Sequence, residues 1–340
     1  MRGTATVIGG GIGGLTVANY LLRAGWDVHV HERADGPPTT GTALGMWPQA
    51  LAALDDVGLG DRVRARGVPQ SSGTILRPDG STIARVAVRG GTTHLISRPA
   101  LLRILAESVP SSAVHYDSTV TGPAGDTTDV VIGADGINSR IRDAVFGEGY
   151  RPRPLRMAAW RGWTPGTAAG ACETWGDGAL FGITPRDGDL TNFFAAVRTE
   201  PGGADGGIEF LRSRFSAWHP RVREILDRLD PAALLHHDLY DSPAMPSYVR
   251  GNVALVGDAA HAMAPNLGRG ACEAIVDGAA LGRALSESPD VGTALRRYDR
   301  ARRLRTRMLV CASATMARVA TSGRGRRVRD GALGLVTMRR

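Results

Sequence analysis

Three turns rich in glycine and acidic residues carry the side chains with the clearest chemistry. In the first turn, Gly9, Gly11 and Gly14 have the spacing Gly-x-Gly-x-x-Gly, and Glu32 follows 21 residues after Gly11. Such glycines allow a tight turn and a close approach of the backbone to a pyrophosphate, and the N–H groups that begin the next helix attract anions. An acid at this distance accepts hydrogen bonds from ribose hydroxyls. The pattern predicts a dinucleotide site without distinguishing NAD from FAD.

Each turn follows a short run of mostly apolar residues, at 5–8, 129–132 and 253–256. Runs of this kind predict buried parallel strands. After the first run, apolar residues continue at helical spacing to Gly25, and a second strand is predicted at 28–31. This order is a βαβ unit. Between about 155 and 245 the chain has Gly- and Pro-punctuated segments with alternating or aromatic character, which predict a mostly antiparallel sheet.

The last part of the chain is strongly basic. A helix is predicted at 294–319 with one apolar stripe formed by Leu295, Tyr298, Leu304, Met308, Cys311 and Thr315. Residues 296–340 carry 14 Arg and 2 acids, a net charge of +12, whereas residues 1–295 carry 27 Arg and 31 acids, a net charge of −4. We interpret residues 320–340 as a frayed basic tail and disfavour a nucleic-acid partner.

The composition excludes several classes of mechanism and compartment. The chain contains no lysine, which excludes a Schiff base, a pyridoxal-phosphate anchor and a P-loop lysine. Its three cysteines are too few and too dispersed for a disulfide framework or a CxxC metal site, so we predict no metal. No signal-peptide pattern and no apolar run of roughly 20 residues occurs. We therefore predict a cytoplasmic protein with no membrane partner, as a monomer or homodimer.

The second and third turns identify the cofactor. The segment 131–142, VIGADGINSRIR, contains Asp135, and the segment 251–261, GNVALVGDAAH, contains Asp258. They resemble the Asp-Gly and Gly-Asp motifs of single-component (group A) FAD-dependent monooxygenases related to para-hydroxybenzoate hydroxylase. Further segments resemble the same family, so that the resemblance covers residues 4 to about 310: 42–51, 97–102, 173–176, 181–185 and 298–303.

The resemblance implies an α/β fold, in which a Rossmann-like FAD-binding domain contains an inserted, mostly antiparallel substrate domain and is followed by a C-terminal helix. The predicted FAD-binding domain comprises 1–70, 95–154 and 250–290. The predicted substrate domain comprises 71–94 and 155–249. The remaining boundaries place the C-terminal helix at 291–319 and the tail at 320–340.

The resemblance also assigns roles around FAD. Asp258 would bind the ribityl chain, Arg98 would approach the pyrophosphate or ribityl chain, and Asp135 would position the cofactor. For each a structural alternative stays open: Asp258 capping its own turn, Asp135 binding its own backbone, and Arg98 as a solvated residue at a helix start. The flavin-positioning residues Pro265, Gly268 and Gly270 would bring backbone N–H groups and a helix N-terminus to the flavin. The full predicted cofactor-binding set is Gly9, Gly11, Gly14, Glu32, Arg33, Arg98, Asp135, Asp258, Gly268, Arg269, Gly270 and Ala271.

Two residues depart from the expected use of this motif. Cys272 stands where many relatives carry Asn, and we interpret it as a small packed residue. The position of His261 after the Gly-Asp motif suggests a catalytic base, but we prefer the interpretation that this histidine is packed or bonded to the backbone. No residue is identified as catalytic.

The predicted function is that of an FAD-dependent monooxygenase, which uses NAD(P)H and O2 to hydroxylate or epoxidise a small organic substrate. We expect an aromatic or polyene compound of the secondary-metabolite type. A flavin reductase or oxidase without oxygen insertion is the alternative. Candidate pocket residues, with core packing as the other interpretation for each, are Trp160, Arg161, Trp175, Phe181, Phe193 and Met245.

Overall fold

The computed structural model describes residues 3–88, 90–122, 128–200, 206–323 and 325–338. Within these residues, sixteen strands form three sheets, and eleven α-helices accompany them. The strands are β1 (Thr4–Ile8), β2 (Asp27–His31), β3 (Ala43–Met46), β4 (Val68–Gln70), β5 (Ser72–Leu76), β6 (Thr82–Ala87), β7 (Thr93–Ser97), β8 (Val114–His115), β9 (Val130–Gly133), β10 (Arg153–Pro165), β11 (Ala171–Trp175), β12 (Ala179–Arg186), β13 (Leu190–Arg198), β14 (Leu235–Asp241), β15 (Val249–Arg250) and β16 (Val253–Leu255). The helices are α1 (Ile12–Arg23), α2 (Pro48–Asp55), α3 (Gly60–Arg66), α4 (Arg98–Ala106), α5 (Arg140–Phe146), α6 (Ile208–Arg214), α7 (Pro220–Arg228), α8 (Asp258–His261), α9 (Gly270–Glu287), α10 (Val291–Ala320) and α11 (Arg326–Met338).

The first sheet has six strands in the order β15-β16-β9-β1-β2-β8. All its pairs are parallel except β15 with β16. Central strands such as β1 and β9 are buried along almost their whole length, because helices cover both faces of a parallel sheet. The three predicted turns therefore follow three neighbouring strands, and the predicted Rossmann-like fold is confirmed.

Helices α1 and α9 pack directly against each other through glycines. A Cβ on Gly278 would lie 2.8 Å from Cβ of Thr16, and one on Gly282 would overlap the side chain of Tyr20. Residue numbers rise together along both helices, so that α1 and α9 run parallel. Their N-termini lie at the same edge of the sheet, where both helix dipoles present their positive ends.

The second sheet has seven strands in the order β14-β10-β13-β12-β11-β5-β6, and only β11 and β5 pair in parallel. The predicted mostly antiparallel sheet is confirmed. Side chains alternate between its two faces. One face packs under α6 and α7 in a buried cluster that includes Phe215 and Leu226. The other face points toward the C-terminal helices, where Ala317 and Ala320 pack.

The small third sheet, in the order β3-β7-β4, connects the two larger ones. The backbone N–H of Ala43 in β3 donates to Oδ1 of Asn192 in β13 at 3.0 Å. Asp187, between β12 and β13, accepts from the backbone N–H and the hydroxyl of Ser97, both at 2.9 Å. These buried bonds fix the end of β7, and hence the start of α4, against the antiparallel sheet.

The long helix α10 is present as predicted, but its buried face differs from the predicted stripe. Leu304 is 58% exposed and Met308 is 72% exposed. Apart from Val310, the buried positions after Tyr298 are polar or small and include Arg302, Thr306 and Ser313. The prediction of the buried face from apolar spacing is wrong because this helix buries polar groups that have partners on other elements. No helix among the described residues is both long enough and apolar enough to span a bilayer.

The interpretation of residues 320–340 as a frayed tail is wrong for most of this segment, because it contains α11. Asp330 is buried, and its carboxylate accepts from Nε of Arg77 in the loop after β5 at 2.9 Å. Nε of Arg329 donates to the same carboxylate at 2.9 Å. Leu333 packs onto the cluster that contains Ile83 of β6. Charged partners on other elements, invisible to local sequence patterns, dock this basic helix.

Truncation after Gly323 is therefore expected to lower the free energy of unfolding by on the order of 2 kcal/mol, because it removes the buried partner of Arg77 and uncovers Ile83. Urea denaturation measures the change. The control variant Arg327→Ala changes an exposed position of α11 and should leave stability unchanged. Equal stability of the truncated and full-length chains would restore the interpretation as a solvated end.

Candidate functional site

The first glycine-rich turn is shaped by three glycines with different tasks. Gly9 has a φ of +111°, and a Cβ there would overlap the carbonyl oxygen of Ala134. A Cβ on Gly14 would overlap the carbonyl oxygen of Gly9. At Gly11 a Cβ would meet nothing within 4 Å. The turn therefore packs tightly on its inner side and leaves open space in front of the N-terminus of α1.

Glu32, at the end of β2, holds this turn in place. Its Oε2 accepts from the backbone N–H of Gly10 at 2.7 Å, and its Oε1 accepts from the backbone N–H of Ala34 at 2.9 Å. Each carboxylate oxygen has a further lone pair for a ribose hydroxyl. Arg33 beside it is exposed.

Asp135 binds nearby backbone N–H groups, which is the structural role given above as its alternative. Its Oδ2 accepts from the backbone N–H groups of Arg140 and Ile141, at 2.8 and 3.1 Å, at the start of α5. Its Oδ1 is buried and has no partner among the described residues. One carboxylate oxygen is therefore left for a further donor.

Asp258, Arg98 and Arg161 face one another between the two large sheets. Asp258 is exposed to solvent and yet surrounded by protein, as at the bottom of a cleft. Burial raises the pKa of its carboxyl group, while the positive charges of Arg98 and Arg161 act in the opposite direction. Within the described chain, none of these three side chains makes a hydrogen bond or ion pair. The cleft thus presents two cations and one carboxylate that lack protein partners.

The loop before α9 forms the adjacent wall of the cleft. Pro265–Leu267 makes a single 3-10 turn, and Gly268 follows with a φ of +59°. Helix α9 begins at Gly270 without a side-chain cap. Oδ1 of Asn266 is buried and lacks a partner among the described residues. The free N–H groups of α9 therefore stand beside those of α1.

Behind this loop lies a buried network of five charged or titratable side chains. Arg269 donates to Oε1 of Glu273 at 2.7 Å, and Arg302 of α10 donates to Oε2 of Glu273 at 2.5 Å. Arg302 also donates to Oδ1 of Asp277 at 2.6 Å, and Nε2 of His261 lies 2.5 Å from Oδ2 of Asp277. Arg269, predicted to contact the cofactor, is therefore bonded to α9. The sequence signal that was overlooked is two acids four residues apart on one helix.

The network sets the charge of His261. Burial alone would lower its pKa, but the charge and hydrogen bond of Asp277 raise it above the ordinary value. Burial alone would raise the pKa of Asp277, but His261 and Arg302 lower it to about 2. His261 is thus a buried partner of a carboxylate rather than backbone-bonded, although the prediction that it is packed is confirmed.

We expect the stability contributed by His261 to depend on pH. Because its pKa is raised on folding, the contribution is complete below the unfolded value of about 6.5 and is lost as the pH rises through the folded value. The difference in free energy of unfolding between the native chain and His261→Gln should therefore be larger at pH 6 than at pH 9. Denaturant titrations at both pH values measure it, and a constant difference would contradict the assignment.

Most of the predicted pocket residues lie in cores instead. Trp160, Phe181 and Phe193 are buried on the face of the antiparallel sheet that packs under α6 and α7, so their assignment to a pocket is wrong. Met245 is buried in the core of the six-stranded sheet, so its assignment is also wrong. Each aromatic residue has a neighbour in sequence that points to the opposite face, and local sequence alone did not distinguish the two faces.

Two predicted residues do lie on the face toward the cleft. Arg161 alternates with Trp160 along β10, and Trp175 lies on the same face of β11. Trp175 is buried, and its Nε1 donates to Oε1 of Glu173 at 2.6 Å. Glu173 was not singled out as a site residue.

Cys272 is packed as predicted. Its thiol is buried and donates to the carbonyl oxygen of Gly45 at 3.0 Å. Burial raises the pKa of the thiol to about 12, so it is neutral at physiological pH. Across the described residues, no group of three or more His, Cys, Asp or Glu side chains is arranged to hold a metal ion.

Comparisons with known proteins agree with this geometry. A family model described as an FAD binding domain matches residues 2–130 and 224–313. Aurachin C monooxygenase/isomerase of Stigmatella aurantiaca is 31% identical over 327 residues, which cover 88% of this chain and 85% of that protein. The 3-amino-4-hydroxybenzoate 2-monooxygenase of Streptomyces cremeus is 32% identical over 332 residues, which cover 88% and 83%. The crystal structure of Klebsiella pneumoniae HpxO with FAD and uric acid is 25% identical and superposes with a TM-score of 0.87 over 98% of this chain and 97% of that one.

Proposed function

Because this chain belongs to the FAD binding domain family and is an FAD-dependent monooxygenase, we propose that it uses NAD(P)H and O2 to hydroxylate or epoxidise a small organic molecule. The substrate would lie between FAD and the cleft-facing side of the antiparallel sheet. The observation that carries this proposal is the cleft in which Asp258, Arg98 and Arg161 meet without protein partners. Charged side chains that meet in a cleft without protein partners favour a ligand that pairs with them.

The residues of the cleft fit FAD. Gly11 leaves room for a pyrophosphate at the N-terminus of α1, and the parallel packing of α1 and α9 brings a second helix N-terminus beside it. The unpartnered oxygens of Asp135 and Asn266 are further acceptors for cofactor hydroxyl or N–H groups. We propose that the cofactor-contacting residues are Gly9, Gly11, Gly14, Glu32, Arg33, Arg98, Asp135, Asp258, Pro265, Gly268, Gly270 and Ala271.

Bound FAD supplies the redox chemistry, since it accepts a hydride from NAD(P)H and activates O2. The N–H groups at the start of α9 stabilise negative charge on the ring system without any side chain. Arg98 supplies a positive charge opposite Asp258. The antiparallel sheet covers the reacting atoms and limits access of water.

We propose that residues 1–70, 95–154 and 250–290 form the FAD-binding domain, and that residues 71–94 and 155–249 form the substrate domain. The division is supported by the strands of each sheet, since β5, β6 and β10–β14 build the antiparallel one. All three cysteines are free, which supports function in a reducing cytoplasm. We propose a monomer or homodimer.

The test is oxygen incorporation. The purified flavoprotein is mixed with NADH or NADPH, ¹⁸O2 and a panel of aromatic and polyene compounds, and products are analysed by mass spectrometry. We expect at least one compound to accelerate NAD(P)H oxidation and to gain one ¹⁸O atom. Oxidation that yields only hydrogen peroxide or a dehydrogenated product with every compound would favour the reductase or oxidase alternative.

A further inference from the structure

One row of residues crosses the antiparallel sheet on its cleft-facing side. Pairing between successive strands places six residues directly opposite one another, in the order Ile75, Glu173, Gly182, Phe194, Arg161 and Leu235. We refer to them as the cross-sheet row. Every member except the buried Gly182 is partly exposed, whereas the opposite face is buried under α6 and α7. Ile75 and Phe194 also pack in part against the cluster that contains Ala317 and Ala320 of α10. The row is thus a partly exposed band on the cleft-facing side of the sheet.

Arg161 is the positively charged member of the row and lies next to its last residue, Leu235. Its guanidinium is partly exposed and makes no hydrogen bond or ion pair with any described residue. Burial lowers its pKa, the positive charge of Arg98 lowers it further, and the charge of Asp258 opposes both. A cation that lacks a protein partner and is repelled by a second cation gains from a bound anion.

Glu173 is the acidic member of the row and lies next to its first residue, Ile75. Its Oε1 accepts from Nε1 of Trp175 at 2.6 Å, and its Oε2 has no partner among the described residues. Burial raises the pKa of this carboxyl group to about 7, although the bond from Trp175 acts in the opposite direction. The free oxygen can therefore accept a hydrogen bond from an O–H or N–H group at neutral pH.

The middle of the row is aromatic and flat. A Cβ on Gly182 would overlap the ring of Phe194, which shows that this ring lies across strand β12 in the space that the glycine leaves. The ring provides a stacking surface between Arg161 and Glu173. Three strand spacings separate Arg161 from Glu173, which corresponds to about 14 Å between their Cα atoms.

We propose that Arg161 and Glu173 are the two polar ends of the substrate site, and that the substrate is a fused aromatic compound of two or three rings. One end of the substrate carries an anionic group that binds Arg161, and the other carries an O–H or N–H group that donates to Glu173. A single benzene ring is too short to reach both Arg161 and Glu173. This inference rests on the proposed function and narrows its substrate class.

The test uses the FAD-loaded protein without NAD(P)H and measures binding from the change in the flavin absorption spectrum and from equilibrium dialysis. The probes are 6-hydroxy-2-naphthoate, which has both groups, 2-naphthoate and 2-naphthol, which have one each, and 4-hydroxybenzoate, which has both on one ring. The expected result is that hydroxynaphthoate binds at least about tenfold more tightly than each of the others, because each polar contact adds affinity.

Variants separate the two ends. Arg161→Met should remove the advantage of hydroxynaphthoate over naphthol, and Glu173→Met should remove its advantage over naphthoate. Glu173→Gln keeps the size of the side chain and should reduce the second advantage without affecting the first. The control variants Arg221→Met and Glu224→Gln change exposed residues of α7, on the opposite side of the sheet, and should bind every probe as the native chain does.

Several results would overturn the proposal. These are 4-hydroxybenzoate binding as tightly as hydroxynaphthoate, no binding of hydroxynaphthoate at millimolar concentration, or Arg161 and Glu173 variants that match the controls. Failure of the proposed function gives a different result, in which the probes still bind in the predicted order but no compound gains ¹⁸O. The binding data therefore test the row independently of oxygen transfer.

Discussion

Replacing Arg302 with methionine will lower the free energy of unfolding by about 3–5 kcal/mol, because it leaves two buried carboxylates without their shared cation. Arg302 bonds Glu273 at 2.5 Å and Asp277 at 2.6 Å, and all three side chains are buried. His261 and Arg269 each neutralise one of the carboxylates only in part, since each contacts a single acid. Urea denaturation of the flavin-free protein measures the loss.

A matched control lies on the same helix. Arg297 pairs with Glu287, but both side chains are more than half exposed, and Arg297→Met should cost no more than about 1 kcal/mol. Similar losses for the two variants would show that the buried network contributes no more than a surface pair. Flavin affinity should also fall in Arg302→Met, because Glu273 and Arg269 hold the loop before α9.

Two glycine variants will separate folding from FAD binding. Gly11→Ala should leave the stability of the flavin-free protein almost unchanged, since its φ of −78° suits alanine and its Cβ meets no protein atom within 4 Å. It should weaken FAD binding by about 10- to 100-fold, because the methyl group occupies the space through which a pyrophosphate approaches the helix N-terminus. Gly14→Ala should instead destabilise the protein by about 1–3 kcal/mol through overlap with Gly9.

Both variants are measured by thermal unfolding of the flavin-free protein and by titration with FAD. Gly207→Ala is the control for Gly11→Ala, because Gly207 also precedes a helix, has a φ of −72° and faces open space. It should change neither property. Undiminished FAD affinity in Gly11→Ala would remove the N-terminus of α1 from the cofactor site.

The sequence allowed the cofactor fold to be predicted because its signals are local. The strands β1, β9 and β16 are short, mostly apolar runs, and a glycine-rich or acidic turn follows each of them directly. The residues that form the cleft, Asp258 and Arg98, stand within or next to such motifs. The lack of protein partners for these two side chains could be seen only in the structure, because it depends on contacts between distant segments.

The substrate face could not be predicted in the same way. Strand β10 carries Trp160 and Trp163 on opposite faces, and β13 carries Phe193 and Phe194 on opposite faces. Both faces of the sheet are rich in apolar residues, so that period-two alternation is present without a polar side to orient it. Three of the four aromatic pocket candidates, Trp160, Phe181 and Phe193, therefore lie on the wrong face, and only Trp175 lies on the cleft-facing one. Phe194, on the cleft-facing side, is not among the candidates.

The error in α10 has a related cause. A helix is expected to bury its apolar stripe, but here the buried face contains Arg302, Thr306 and Ser313. These polar groups are satisfied by Glu273 and Asp277 on α9, by Tyr248 and by the carbonyl oxygen of Ala264. Burial of a polar helix face depends on partners that no window of the sequence contains.

The length of helix α10 affects how the two walls of the cleft can move relative to each other. Its 30 residues extend over about 45 Å. Within its first half, Arg302 bonds the helix to α9. Near its C-terminus, the carbonyl oxygen of Arg318 accepts a hydrogen bond from Arg198 of β13 at 3.0 Å. Helix α10 is therefore bonded to both walls of the cleft. Moving the two walls apart as rigid bodies would break these bonds. We therefore expect a bulky substrate to enter through movement of side chains and loops rather than through a change in the width of the cleft.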